Sequence, residues 1–170
     1  MHNKFYGTGI MVLVLCFGTM AYCFARADEY RGFCVHVVDG DTVSVADEGQ
    51  KLHRIRIVGM DAPELAQPYG PVAKEALKTL ILHKEVYVLP AGVDKYNREL
   101  AVLRQDYLLG QIDVAETMIG QGHAFSTGGA HYKAQAYAQE HRLGVWADPR
   151  LQERPWLFRH RADSQCGSAK

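Results

Sequence analysis

Phe33-Cys34-Val35-His36-Val37-Val38 runs into Asp39-Gly40-Asp41, and Thr42-Val43-Ser44-Val45 alternates directly after it. Glu48-Gly49-Gln50 interrupts the pattern as a turn, and Arg54-Ile55-Arg56-Ile57-Val58 alternates again. Successive side chains of a strand point to opposite faces, so Ile55 and Ile57 face one way and Arg54 and Arg56 the other. With its two turns, the stretch from Phe33 to Met60 predicts a three-stranded meander.

Downstream, Asp61-Ala62-Pro63-Glu64 through Gly70 is a loop by its prolines and glycine. Pro71 then opens a helix, where a first-turn proline loses no hydrogen bond. Ala73, Ala76, Leu77, Leu80 and Ile81 fall on one face and Lys74, Glu75 and Lys78 off it, which predicts a helix over 71–83. Glu85 to Leu89 reads as a fourth strand and Leu100 to Leu103 as a fifth, with a turn at Asp94-Lys95-Tyr96-Asn97-Arg98. A second helix starts near Asp113 and stops at Gly120 or Gly122, and a third runs from about His131 to Leu143, ended by Gly144. Five short strands with a helix between the third and fourth predict an α+β chain: a five-stranded OB-fold β-barrel with about three α-helices, an architecture that often binds oligonucleotides.

Residues 1–27 stand apart. They hold no acid, an early Lys4, an apolar run from Ile10 to Phe17 and an Ala25-Arg26-Ala27 ending, the pattern of a cleaved secretory leader. A retained membrane anchor is the alternative, since Phe5 to Phe24 is just long enough to span a bilayer. The expected mature chain is then one domain, residues 28–170, secreted or periplasmic, with a short tail from about residue 150. Without Lys4 and Arg26 it carries 17 Lys and Arg against 19 Asp and Glu, a net charge of −2. That balance excludes a generally basic nucleic-acid binder, so any polyanion site is local. Cys34 and Cys166 are the cysteines left, a possible disulfide in an exported protein, and no C-x-x-C occurs to suggest zinc.

Charged residues gather at the strand ends in two kinds. Asp39, Asp41, Asp61 and Glu64 offer the oxygen ligands that a hard cation such as calcium takes. Arg56 and Arg98 offer the paired donors that match a phosphate. A metal acting as Lewis acid, with arginines on the developing charge, is sufficient for phosphodiester hydrolysis. Singly, each piece has a blander reading: a hairpin turn at Asp-Gly, a solvated strand face at Arg54 and Arg56, an acid near a helix start at Glu64. An EF-hand is excluded, because Val43 and Ser44 stand where a ligand and a glycine are required.

Together, Val37-Val38-Asp39-Gly40-Asp41-Thr42, Arg56 followed by Asp61-Ala62-Pro63-Glu64, and Asp94-Lys95-Tyr96-Asn97-Arg98 resemble the staphylococcal nuclease (thermonuclease) family. Gly122-His123-Ala124-Phe125 and Leu143-Gly144-Val145-Trp146 extend the resemblance to nearly the whole mature chain. It implies a monomeric, calcium-dependent nuclease that cleaves DNA and RNA and leaves 3′-phosphates. Asp41 and Asp61 would be calcium ligands, joined by the backbone carbonyl of Ala62. Arg56 and Arg98 would bind and polarise the scissile phosphate, Glu64 would activate or position the attacking water, and Asp39 would orient the metal site from behind.

Three departures from the family pattern stand out. Ala62 replaces a threonine, which a backbone ligand tolerates. Asn97 replaces a frequent glycine, and asparagine is the next-best residue for a left-handed turn. Phe125-Ser126-Thr127-Gly128-Gly129 lacks the further aromatics that would stack on a base. His123, His131 and His141 read as surface histidines, and Trp146, Trp156 and Phe158 as packing residues outside the barrel. Arg150, Arg154, Arg159 and Arg161 form either a phosphate track or a solvated tail. The competing function is an exported OB-fold module that holds an oligonucleotide or oligosaccharide without cutting it.

Overall fold

The computed structural model describes residues 29–108 and 110–167. The leader read over residues 1–27 lies outside the described residues, as does the side chain of Cys166 and with it the Cys34–Cys166 pairing. Cys34 itself is buried, its Sγ 3.8 Å from the His36 carbonyl oxygen.

Among the described residues eight strands and four α-helices follow in order: β1 (Tyr30–Val37), β2 (Thr42–Asp47), β3 (Leu52–Ile57), β4 (Met60–Asp61), α1 (Gly70–Ile81), β5 (Glu85–Val93), β6 (Glu99–Tyr107), β7 (Gly110–Asp113), α2 (Val114–Gly120), β8 (Phe125–Ser126), α3 (Tyr132–Glu140) and α4 (Pro155–Gly167). The main sheet runs β3-β2-β1-β5-β6-β7, and a further pairing of β3 with β6 closes its first five strands into a barrel. The closing pair is parallel, while the other pairs of the main sheet are antiparallel. This is the predicted five-stranded OB-fold barrel.

Alternation places the core where the sequence put it. Val43, Val45, Ile55, Ile57, Val86, Val88, Ala101 and Leu103 fill the barrel, and α1 closes one end with Ala73, Leu77 and Ile81. Each fully buried leucine or isoleucine there contributes about 1.5–3 kcal/mol over an exposed one. On the outer wall, His53 bonds Glu99 at 2.9 Å and Asp47 at 3.0 Å, and Tyr30 donates to the same Glu99 at 3.0 Å, which ties β1, β2, β3 and β6 together.

The structure corrects several boundaries. α1 ends at Ile81 rather than 83, because Leu82 turns extended with ψ 134°. α3 is shorter than 131–143: His131 enters in the left-handed conformation, φ 54°, and Arg142 leaves in it, φ 53°. β7 was not anticipated, since Gly110-Gln111-Ile112-Asp113 carries no hydrophobic alternation. The segment beyond residue 150 holds a fourth helix in place of a plain tail.

Gly122 and Gly144 interlock behind α2. Both sit at positive φ, and a Cβ on either would come within 2.2 Å of the Leu143 or 2.1 Å of the Gly122 carbonyl oxygen. The Val145 amide donates across this contact to Gly122 at 2.9 Å. Trp146 then meets Phe125 edge-on, with ring centroids 5.3 Å apart.

Candidate active site

The β1–β2 turn, the end of β3, the loop before α1 and the β5–β6 turn converge at one mouth of the barrel. There they enclose a cleft of about 530 Å³ whose walls include Asp39, Asp41, Arg56, Glu64, Tyr96 and Arg98. The β3–β6 pairing, with Arg56 opposite Leu100, is what brings Arg56 and Arg98 to the same mouth.

Asp41 is 7% exposed and fixed from several sides. Its amide donates to Asp39 Oδ1 at 3.0 Å, and its own carboxylate accepts from the Ala62 amide at 2.9 Å and from Thr42 Oγ1 at 3.1 Å. Burial pushes its pKa up, to about 7, against the opposing pull of the Arg56 guanidinium. Arg56 Nη1 pairs with Asp41 Oδ2 at 2.7 Å while its Nη2 pairs with Asp61 Oδ1 at 2.8 Å. Two acids, one from the β1–β2 turn and one from β4, therefore converge on one guanidinium. Asp61, 6% exposed, sits on β4 opposite Phe125 of β8.

Arg98 stands across the cleft. Its Nε donates to Asp94 at 2.8 Å and its Nη1 to Thr42 Oγ1 at 3.3 Å, with the Tyr96 ring centroid 5.5 Å from its guanidinium carbon. Desolvation works to raise the Asp94 pKa, but bonds from the Arg98 and Tyr96 amides and the Arg98 side chain lower it, so Asp94 is a firm anion beside the arginine. Asn97 takes φ 59°, the left-handed turn expected of it.

Glu64 is placed by backbone contact. Gln67 Oε1 accepts from the Glu64 amide at 2.8 Å, while Gln67 Nε2 donates to the Glu153 carbonyl at 2.9 Å. Gly70 packs so closely that a Cβ on it would lie 1.9 Å from the Glu64 carbonyl oxygen. Gly70→Ala must therefore push the Glu64 loop out of place. It is expected to lower turnover roughly tenfold or more through misplacement alone, with the circular dichroism spectrum kept. Unchanged turnover would mean that Glu64 needs no fixed position.

Asp39, Asp41, Arg56, Glu64 and Arg98 line this mouth together with Ala62, whose amide donates to Asp41, and Asp61 is buried behind it on Arg56. Sequence reading passed over Thr42, which links Asp41 to Arg98, and Gln67, which ties the Glu64 loop to the C-terminal segment. Both lie inside or next to the quoted motifs, so their position was the available signal. Arg159, which sequence alone assigns either to a phosphate track or to a solvated tail, is at the mouth as well. It reaches from α4 to Asp61 Oδ1 and Oδ2, both at 3.2 Å, and to Glu64 Oε1 at 2.6 Å. Two expectations fail. His123 is no surface histidine: Tyr69 Oη lies 3.0 Å from its Nδ1, and burial lowers its pKa. Trp156 is half exposed rather than packed. Where aromatics were missed, Phe125 is buried and Ser126 is engaged by Gln135 and Ala130.

A family model described as staphylococcal nuclease homologue matches residues 54–148. The chain is 34% identical over 143 residues to the micrococcal nuclease of Shigella flexneri, spanning 77% of this chain and 81% of that protein. It is 34% identical over 138 residues to an uncharacterized endonuclease of Escherichia coli, spanning 78% and 87%. It is also 36% identical over 129 residues to a probable staphylococcal-like nuclease, CAN1, of Oryza sativa subsp. japonica, spanning 70% of this chain but 35% of that longer protein. Barrel, acids, arginines and these relatives together define the class: a phosphodiester hydrolase whose substrates are nucleic acids. The chain belongs to the staphylococcal nuclease family.

Proposed function

We propose that this nuclease depends on calcium and cuts both DNA and RNA to leave 3′-phosphates. The observation that carries the reading is the convergence of Asp41 and Asp61, both buried, on a single cationic point beside Arg98. Two carboxylates with the Ala62 carbonyl form an all-oxygen donor set, the kind calcium takes and softer metals do not. Among the described residues no group of three or more His, Cys, Asp or Glu side chains is arranged to hold a metal ion. Asp41, Asp61 and the Ala62 carbonyl are the groups that would hold the ion. Bound there, calcium supplies Lewis-acid polarisation of that phosphate.

The protein's own groups have separable tasks in this reading. Arg98, held by Asp94 and Thr42, presents a guanidinium to the equatorial phosphate oxygens, where charge grows toward the transition state. Arg56 does the same from the opposite wall while neutralising the acids behind it. Glu64, fixed through Gln67 and Gly70, accepts a hydrogen bond from the attacking water and aims it at phosphorus. Asp39 holds the Asp41 backbone in position. Breaking the bond from phosphorus to the 5′ oxygen leaves phosphate on the 3′ end.

Purified protein incubated with an end-labelled oligodeoxynucleotide and its RNA counterpart tests this. Cleavage is expected with calcium, none with a chelator, and far slower cleavage with magnesium, which demands a tighter octahedron and holds its waters. Products should gain mobility shifts on treatment with a 3′-phosphatase. Full activity in chelator would end the calcium reading, and 5′-phosphate products would end the assignment of the broken bond.

A further inference from the structure

Arg159 occupies the ground that a metal would need. Both oxygens of Asp61 accept from it at 3.2 Å, Oδ1 also accepts from Arg56 at 2.8 Å, and Glu64 Oε1 accepts from it at 2.6 Å. Asp61 itself is buried, 6% exposed, while Arg56 and Arg159 line the cleft in front of it. A cation entering from the cleft therefore meets guanidiniums before it meets this carboxylate.

The helix that delivers Arg159 is lightly held. Its buried anchor is Pro155, while Trp156 and Leu157 face solvent at 51% and 45% exposure. Just before it, Gln67 holds the Glu153 carbonyl and the Arg154 guanidinium lies 4.6 Å from the Phe125 ring centroid. Arg161 pairs with Glu153 at 2.9 Å, a contact internal to the segment. Beyond Pro155, Arg159 makes the polar bonds to the catalytic mouth. Among the described side chains of α4 Pro155 alone is buried, and an element held so lightly opens at low cost, whereas the base of the segment stays tethered.

We infer that α4 is an autoinhibitory latch: Arg159 stands in for the metal on Asp61 and holds Glu64 away from water, and calcium must displace it to build the working site. The inference rests on the calcium reading above. A latched molecule binds metal only in its open fraction, so apparent affinity falls by that fraction. Because the Arg159 side chain is 46% exposed, its ion pairs are screened and the latch is a weak one. Opening frees a guanidinium and restores Glu64 to water, so metal binding and activation are one event.

Calorimetric titration of the full chain with calcium alone, without nucleic acid, tests the latch. Arg159→Ala is expected to bind calcium about two- to fivefold more tightly than wild type, the effect of losing a weak surface-type ion pair. Arg161→Ala removes the same charge from the same helix without touching Asp61, and is expected to match wild type. Amide hydrogen exchange over α4 should quicken on adding calcium to wild type. If wild type and both variants bind no calcium, the calcium reading falls and takes the latch with it. If wild type binds calcium and Arg159→Ala binds it equally, or if both variants tighten alike, the latch alone is wrong. It is wrong also if Arg159→Ala raises KM for DNA while leaving calcium affinity unchanged, since the arginine then serves the substrate.

Discussion

Arg98→Ala is expected to lower phosphodiester turnover on the order of a hundredfold or more, with a urea midpoint close to that of the wild type. The arginine is held at Nε by Asp94 and at Nη1 by Thr42, so its guanidinium is oriented before substrate arrives. Such a donor gains more from the charge of the transition state than from the bound ground state, so kcat suffers more than KM. Little else depends on it, because Asp94 also caps its own turn through the Tyr96 and Arg98 amides. Arg98→Lys should recover little, since a single ammonium cannot keep both contacts and still face a phosphate. Single-turnover cleavage of a labelled oligonucleotide is the measurement. An Arg98→Ala enzyme that cuts as fast as wild type would remove this residue from the chemistry.

Arg56→Ala should fail in two ways at once. Its guanidinium is shared by Asp41 and Asp61, whose side chains are 10% and 8% exposed. Removing one partner of a buried pair typically costs about 3–5 kcal/mol, because the charge left behind has no compensation. The sign with pH follows from Asp41. Burial already raises its folded pKa, and losing Arg56 raises it further. The folded state then holds a proton that the unfolded chain releases, so the variant should lose stability as pH rises above the ordinary carboxylate value of about 4. Calcium, binding the native state, should restore part of the loss. Urea titrations at two pH values, with and without calcium, measure all three effects. A midpoint unmoved by the substitution would show that the carboxylates do not rely on Arg56.

What could be read in advance divides along physical lines. Ile55 and Ile57 inward with Arg56 outward is a local pattern, and so is the Ala73–Leu77–Ile81 stripe; both survived folding because one buried face is enough to specify them. The motif residues of each hairpin are placed by local strands, but Arg56 and Arg98 reach one mouth only through the long-range pairing of β3 with β6. β7 and α4 carry no such stripe, and form through the neighbours they pair with or follow. That one guanidinium serves two acids was equally hidden, since sequence shows neighbouring charges but not the shared atom. His123 was misjudged for the same reason: a histidine after a glycine looks solvent-facing until Tyr69 of a distant loop covers it.

The parallel pairing of β3 with β6 has a temporal meaning. It joins Ile55, Arg56 and Ile57 to Glu99, Leu100 and Ala101, segments with a whole helix and two strands between them. Long-range contacts of this kind form late, after loop-closure entropy has been met by local structure. Hairpins and α1 can exist in a chain whose barrel is still open, but Arg56 and Arg98 then belong to separate halves. The two arginines thus meet only once this seam is made, so the cutting edge is a property of the closed barrel and of neither half alone.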